Sequence, residues 1–101
     1  IIFTSSSVGR AGRAFWGAYS ASKFAIEGLM QIMAEELYDT RNIRVNTLNP
    51  GATRTSMRAD AYPAENPAHL KTPDEIMDIH VYLMSDDSKH INGQALDAQP
   101  K

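Results

Sequence analysis

Apolar positions along the chain fall into three short runs and two periodic segments. The β-branched and aromatic run Ile1-Ile2-Phe3-Thr4 predicts a buried strand. It breaks at Ser5-Ser6-Ser7-Val8-Gly9-Arg10-Ala11-Gly12-Arg13, where small residues and two glycines favour a loop. From Ala18 to Tyr38 there is no proline and a single glycine, Gly28, among strong helix formers, which predicts a long helix ended by Arg41-Asn42. Ile43 to Leu48 predicts a second strand, stopped by the turn signal Asn49-Pro50-Gly51. Residues 52–71 follow neither period and predict a long loop with short helical turns, a kind of segment that usually carries function. Thr72-Pro73-Asp74-Glu75 matches a helix start, with Thr72 as N-cap, Pro73 in the first helical position and Glu75 closing a capping box. Ile76, Ile79, Leu83 and Met84 give that helix one apolar face, which fades at Ser85-Asp86-Asp87-Ser88. Gln94 to Ala98 predicts the last strand.

This order of strand, helix, strand, loop, helix, strand implies an α/β fold with a parallel sheet, because a long helix between strands demands a crossover and not a hairpin. Three strands leave two sheet edges open. A chain of 101 residues that opens inside a strand is expected to be a piece of a larger domain. On the long helix, where each residue advances about 100°, Ile26, Leu29, Met30, Met33 and Leu37 gather on an arc expected to pack on the sheet. Glu27, Gln31, Glu35 and Asp39 mark a polar strip. Phe24, Gly28 and Ile32 fall beside that strip, either as scattered surface residues or as a contact for another backbone.

Composition narrows the chemistry. There are 10 basic and 12 acidic side chains, a net charge of -2 and no cysteine, so disulfides, thiolate metal sites and cysteine nucleophiles are excluded. The balance gives no general attraction to nucleic acid. No apolar run approaches the roughly 18 residues of a membrane span. His69, His80 and His90 lack the close pairing of a zinc motif, so no metal is expected. Asp86-Asp87 reads as solvated carboxylates at a helix end. The expected setting is cytoplasmic, without nucleic-acid or membrane partners.

Tyr19 and Lys23 stand four apart at the start of the long helix, so phenol and ammonium share a face. A cation fixed beside a phenol favours the phenolate, which makes such a pair an acid/base unit. Ser6 directly follows the first strand, and Pro50-Gly51 follows the second. Ligands of open α/β sheets bind beyond the carboxyl ends of the strands, where both would lie.

Ser6, then Tyr19 thirteen positions later in Tyr19-Ser20-Ala21-Ser22-Lys23, then Arg44-Val45-Asn46-Thr47-Leu48-Asn49-Pro50-Gly51-Ala52-Thr53-Arg54-Thr55, resembles the catalytic half of a short-chain dehydrogenase/reductase. The resemblance runs in order through nearly the whole chain. It implies the C-terminal portion of a doubly wound, Rossmann-like parallel sheet and an oxidoreductase that interconverts a carbonyl and an alcohol with NAD or NADP. By the same resemblance Tyr19 is the general acid/base, Ser6 hydrogen-bonds the substrate oxygen, and Lys23 eases proton release from the phenol while holding the nicotinamide ribose. Thr55 and the backbone near Thr53 would hold the carboxamide, with Pro50-Gly51 letting the chain pass close to the ring. A small-molecule carbonyl or alcohol substrate and a homo-oligomer built on the helix Ala18–Tyr38 are further implications.

The family's glycine-rich turn and dinucleotide-binding half have no counterpart here. Gly9 and Gly12 do not match the dinucleotide spacing, so the 101-residue chain alone is expected to be inactive. Thr53 stands where the family usually has an aliphatic residue. An inactive remnant or interaction module of the same fold is the competing reading. Ser20-Ala21-Ser22-Lys23 also spells a Ser-x-x-Lys acyl transferase motif with Ser20 as nucleophile, although only Lys71-Thr72-Pro73 is offered as a partner strand and proline has no N–H to donate. Arg54 and Arg58 in the loop read as solvated, or as contacts to an anionic ligand.

Overall fold

The computed structural model describes residues 1–99, apart from the side chains of residues 40 and 41. Three strands, β1 (Ile2–Thr4), β2 (Asn46–Asn49) and β3 (Ala95–Asp97), form one sheet in the order β1-β2-β3, and both pairings are parallel. The register sets Phe3 beside Thr47 and Thr47 beside Ala95, so the three carboxyl ends meet at one rim. The crossover from β1 to β2 is made by α1 (Gly17–Arg41), closed by Asn42 in the left-handed conformation (φ 53°), which asparagine tolerates. The return to β3 runs through α2 (Ser56–Ala61), short 3₁₀ turns and α3 (Asp78–Met84).

Met30, Ala34 and Val45 form the buried centre, with Phe3, Met33, Leu37 and Ile43 packed around it. Two amides join the layers beneath the sheet. Asn92 accepts from Val45 N–H (2.9 Å) and donates to the Ala34 carbonyl (3.2 Å), while Asn46 donates to the Ile91 carbonyl (3.1 Å) and accepts from Gln94 N–H (3.0 Å). On the β3 side the Val45 N–H is thus taken by a side chain, while on the β1 side the Arg44 carbonyl accepts from the Ile1 nitrogen (2.7 Å), so backbone pairing begins just ahead of Asn46.

Two expectations about facing are corrected. Leu29 is 46% exposed, whereas Glu27 is 7% exposed. The buried arc of α1 is rotated toward Ser20, Glu27, Met30 and Ala34, because polar side chains that meet hydrogen-bond donors at the sheet rim can be buried where an apolar count places them outside. Phe24 and Ile32 do lie exposed, at 46% and 55%. Met84 is also exposed, at the end of the seven-residue α3, in which Leu83 is the buried side chain, while Ile76 is buried in the 3₁₀ turn before it. The capping box of Thr72 and Glu75 forms reciprocally, but it opens a 3₁₀ turn (Asp74–Ile76) that precedes α3. No helix among the described residues is long and apolar enough to cross a membrane.

Candidate active site

One wall of the site is built from the end of β1 and the start of α1. Ser5 N–H donates to the Leu48 carbonyl (2.8 Å), so the chain leaves the sheet only after this residue. Ser6 is extended, and its Oγ accepts from Val8 N–H (3.4 Å), which caps the 3₁₀ turn Ser7–Gly9. That turn lies against α1, where Gly9 leaves no room for a Cβ beside Lys23. Tyr19 stands in the first turn of α1, half-exposed, with Trp16 edge-on to its ring at 5.8 Å. Lys23 Nζ lies 5.6 Å from the Tyr19 ring centre and donates to the Thr4 carbonyl (3.1 Å).

The opposite wall follows β2. Gly51 is left-handed (φ 77°), its N–H bound by the Asn49 Oδ1 (3.0 Å), and Gln99 donates to the Pro50 and Ala52 carbonyls (2.8 and 2.9 Å). Thr53 Oγ1 donates to the Gly51 carbonyl (3.0 Å), and Thr55 caps α2 by accepting from Arg58 N–H (3.1 Å). Between the walls is a cavity of about 560 Å³ lined by Ser6, Tyr19, Lys23, Pro50, Gly51, Thr53 and Thr55, with Trp16, Met57 and Tyr62 as apolar sides. A separate depression of about 360 Å³ near Tyr38 and Gly93 contains none of these residues. Among the described residues no group of His, Asp and Glu could hold a metal ion.

The remaining candidates are engaged elsewhere. Ser20 is buried and its hydroxyl donates to the Val8 carbonyl, which ties it to the serine loop and away from a nucleophile's position. Arg54 donates to the Pro67 and Leu70 carbonyls, closing the base of the loop. Arg58 pairs in two-pronged fashion with Glu65 (2.8 and 3.0 Å) and stacks over Tyr62 at 3.7 Å. Arg54 remains solvent-exposed while it holds its loop, and Arg58, paired with Glu65, also lines the cavity. Reasoning from sequence missed Glu27, Arg10 and Gln99. The signal for Glu27 was its position four residues after Lys23 and three before Met30, on the side both share. Burial pushes the Glu27 carboxyl up, but hydrogen bonds from Ser5, Thr47 and Arg10 outweigh it and leave the group below the ordinary carboxylate range.

A family model for short chain dehydrogenase matches residues 1–66. The chain belongs to the short-chain dehydrogenase family. It is 60% identical over 100 residues to an uncharacterized oxidoreductase, YciK, of Escherichia coli K12, covering 99% of this chain and 39% of that protein. A protein of Pseudomonas syringae described as a short-chain dehydrogenase superposes with a TM-score of 0.93 at 63% identity, over 98% of this chain and 40% of its own. Another from Escherichia coli CFT073, solved in complex with NADPH, superposes with a TM-score of 0.92 at 58% identity, with the same coverage of 98% and 40%. The sequence therefore spans about two-fifths of the length of these short-chain dehydrogenase relatives.

Proposed function

We propose that this chain carries the catalytic half of a nicotinamide-dependent oxidoreductase that interconverts a carbonyl and an alcohol, the dinucleotide-binding half lying in the rest of the protein. The observation that carries this reading is the gathering of Ser6, Tyr19 and Lys23 with the Pro50–Thr55 segment around one cavity at the carboxyl ends of parallel strands. When bound, the cofactor supplies or removes the hydride at the carbinol carbon. The Tyr19 hydroxyl gives a proton to the carbonyl oxygen in reduction and takes it back in oxidation. Ser6 Oγ accepts from Val8 N–H, which leaves its O–H to donate to that same oxygen. Lys23 has one N–H on the Thr4 carbonyl and two more for ribose hydroxyls.

The residues present suit a nicotinamide and its ribose. The left-handed turn at Gly51 brings backbone without a side chain to the cavity, and the threonines after it supply hydroxyls beside it. The likeness to a protein solved with NADPH supports NADP over NAD as the first cofactor to try. The exposed Phe24, Leu29 and Ile32 beside Gly28 support a homo-oligomer through α1. A cytoplasmic setting, where nicotinamide cofactors are kept, accords with this chemistry. Tyr19→Phe in the full-length protein is expected to abolish NADPH-dependent carbonyl reduction and to leave NADPH affinity unchanged. Turnover that survives the substitution removes Tyr19 from its role.

A further inference from the structure

A buried carboxylate lies directly beneath the residues just assigned, and nothing in the proton transfer uses it. Glu27 Oε2 accepts from Ser5 Oγ (2.6 Å) and from Arg10 Nε (3.4 Å), and Oε1 accepts from Thr47 Oγ1 (2.5 Å). Arg10 in turn reaches over the sheet to Asp97 Oδ1 (2.7 Å) and the Leu96 carbonyl (2.8 Å). One side chain of α1 thus joins the residue beside Ser6, the middle strand and, through Arg10, the third strand.

We infer that Glu27 is a positioning residue that holds the Ser6 loop and the Tyr19–Lys23 turn of α1 in one frame. The inference rests on the proposed oxidoreductase reading. A buried charge is weak evidence for stability, because an apolar residue of similar volume often serves as well. What a carboxylate supplies is directional: it only accepts, and two hydroxyls and a guanidinium converge on it from two segments of chain, the serine loop and β2. Two of those contacts lie on the loop that carries Ser6. The same loop presses on Lys23 through Gly9, and Lys23 grips Thr4 just ahead of Ser5. Release of Ser5 and Arg10 therefore loosens the serine and the lysine together. Glutamine at this place keeps the shape, but its amide nitrogen turns one acceptor into a donor and the ion pair with Arg10 is lost.

The test compares Glu27→Gln with Leu83→Ala in the full-length protein. Leu83 is buried in α3 and lines no part of the cavity. Amide hydrogen exchange in residues 5–10 is expected to accelerate about tenfold or more in Glu27→Gln while the amides of α3 change less than about twofold, and the reverse is expected in Leu83→Ala. With NADPH and 9,10-phenanthrenequinone as the probe substrate, Glu27→Gln is expected to lower kcat by about tenfold to a hundredfold and to weaken NADPH binding by a smaller factor, through Lys23. Leu83→Ala should keep its kcat. Ser5→Ala retains the carboxylate and removes one donor. It should show both effects in smaller measure, and it decides the matter if Glu27→Gln does not fold. Exchange raised evenly over the whole chain, or unchanged in residues 5–10, overturns the inference, as does a kcat that Glu27→Gln leaves intact. A wild-type protein that neither binds NADPH nor reduces the probe instead counts against the oxidoreductase reading, and exchange then decides the positioning role alone.

Discussion

At Gly9 a single missing side chain determines how closely the serine loop approaches α1. A Cβ there would lie 2.7 Å from Lys23 Cβ and 3.0 Å from the Lys23 carbonyl carbon, and neither atom can swing aside. Gly9→Ala is expected to destabilise the protein by roughly 1–3 kcal/mol through overpacking and to reduce turnover more than NADPH affinity. Urea melts and steady-state kinetics check the two effects. Glu27 makes a different kind of residue-level prediction. Its carboxyl ionises below the ordinary value of 4.5, held by Ser5, Thr47 and Arg10 against the cost of burial. The unfolded chain takes up this proton first as the pH falls, so the associated stability is complete above the ordinary value and is lost as the pH drops through the folded one. Asp97 on β3 shares the Arg10 guanidinium with Glu27. Glu27→Gln is therefore expected to flatten the acid limb of the urea-midpoint curve, and an unchanged limb would contradict the assignment.

Among the elements, α1 has two working faces. The inner face passes from Ser20 through Glu27 to Met30 and Ala34. The outer face carries Phe24, Leu29 and Ile32 around Gly28, an apolar strip with no Cβ at its centre. Sedimentation of the full-length protein is expected to show an oligomer at micromolar concentration that Ile32→Glu dissociates, while a wild-type monomer would remove the basis for association. The helix, the three strands and the capping box were legible in sequence, because periodicity and turn chemistry are local properties. The facing of α1 was only partly so. A hydrophobic pattern sees Leu29 and Ile26 as core and Glu27 as surface. It cannot anticipate that Ser5, Thr47 and Arg10, from distant parts of the chain, converge to satisfy a buried carboxylate. The same holds for Arg54 and Arg58, whose partners lie in the fold of their own loop. Ser6, Tyr19, Lys23 and the Pro50–Thr55 segment could be read ahead because strand ends and one helix turn already bring them to a common rim.

In the molecule as a whole, parallel strands of the short-chain dehydrogenase fold end together. Every group proposed to touch substrate or cofactor projects from that rim, and the buried core lies below it. The hydrogen bonds of Gln99 to the Pro50–Ala52 turn and of Arg10 to β3 brace the rim from the last strand and the segment after it, so the end of the described chain helps to shape the cavity. A crystal structure of the full-length protein with NADPH puts these assignments to the test. Lys23 Nζ is expected within about 3 Å of the ribose hydroxyls, with the nicotinamide ring lying between Tyr19 and the Pro50–Gly51 turn. A nicotinamide bound outside this cavity, with Lys23 and Tyr19 turned away from it, would contradict the account.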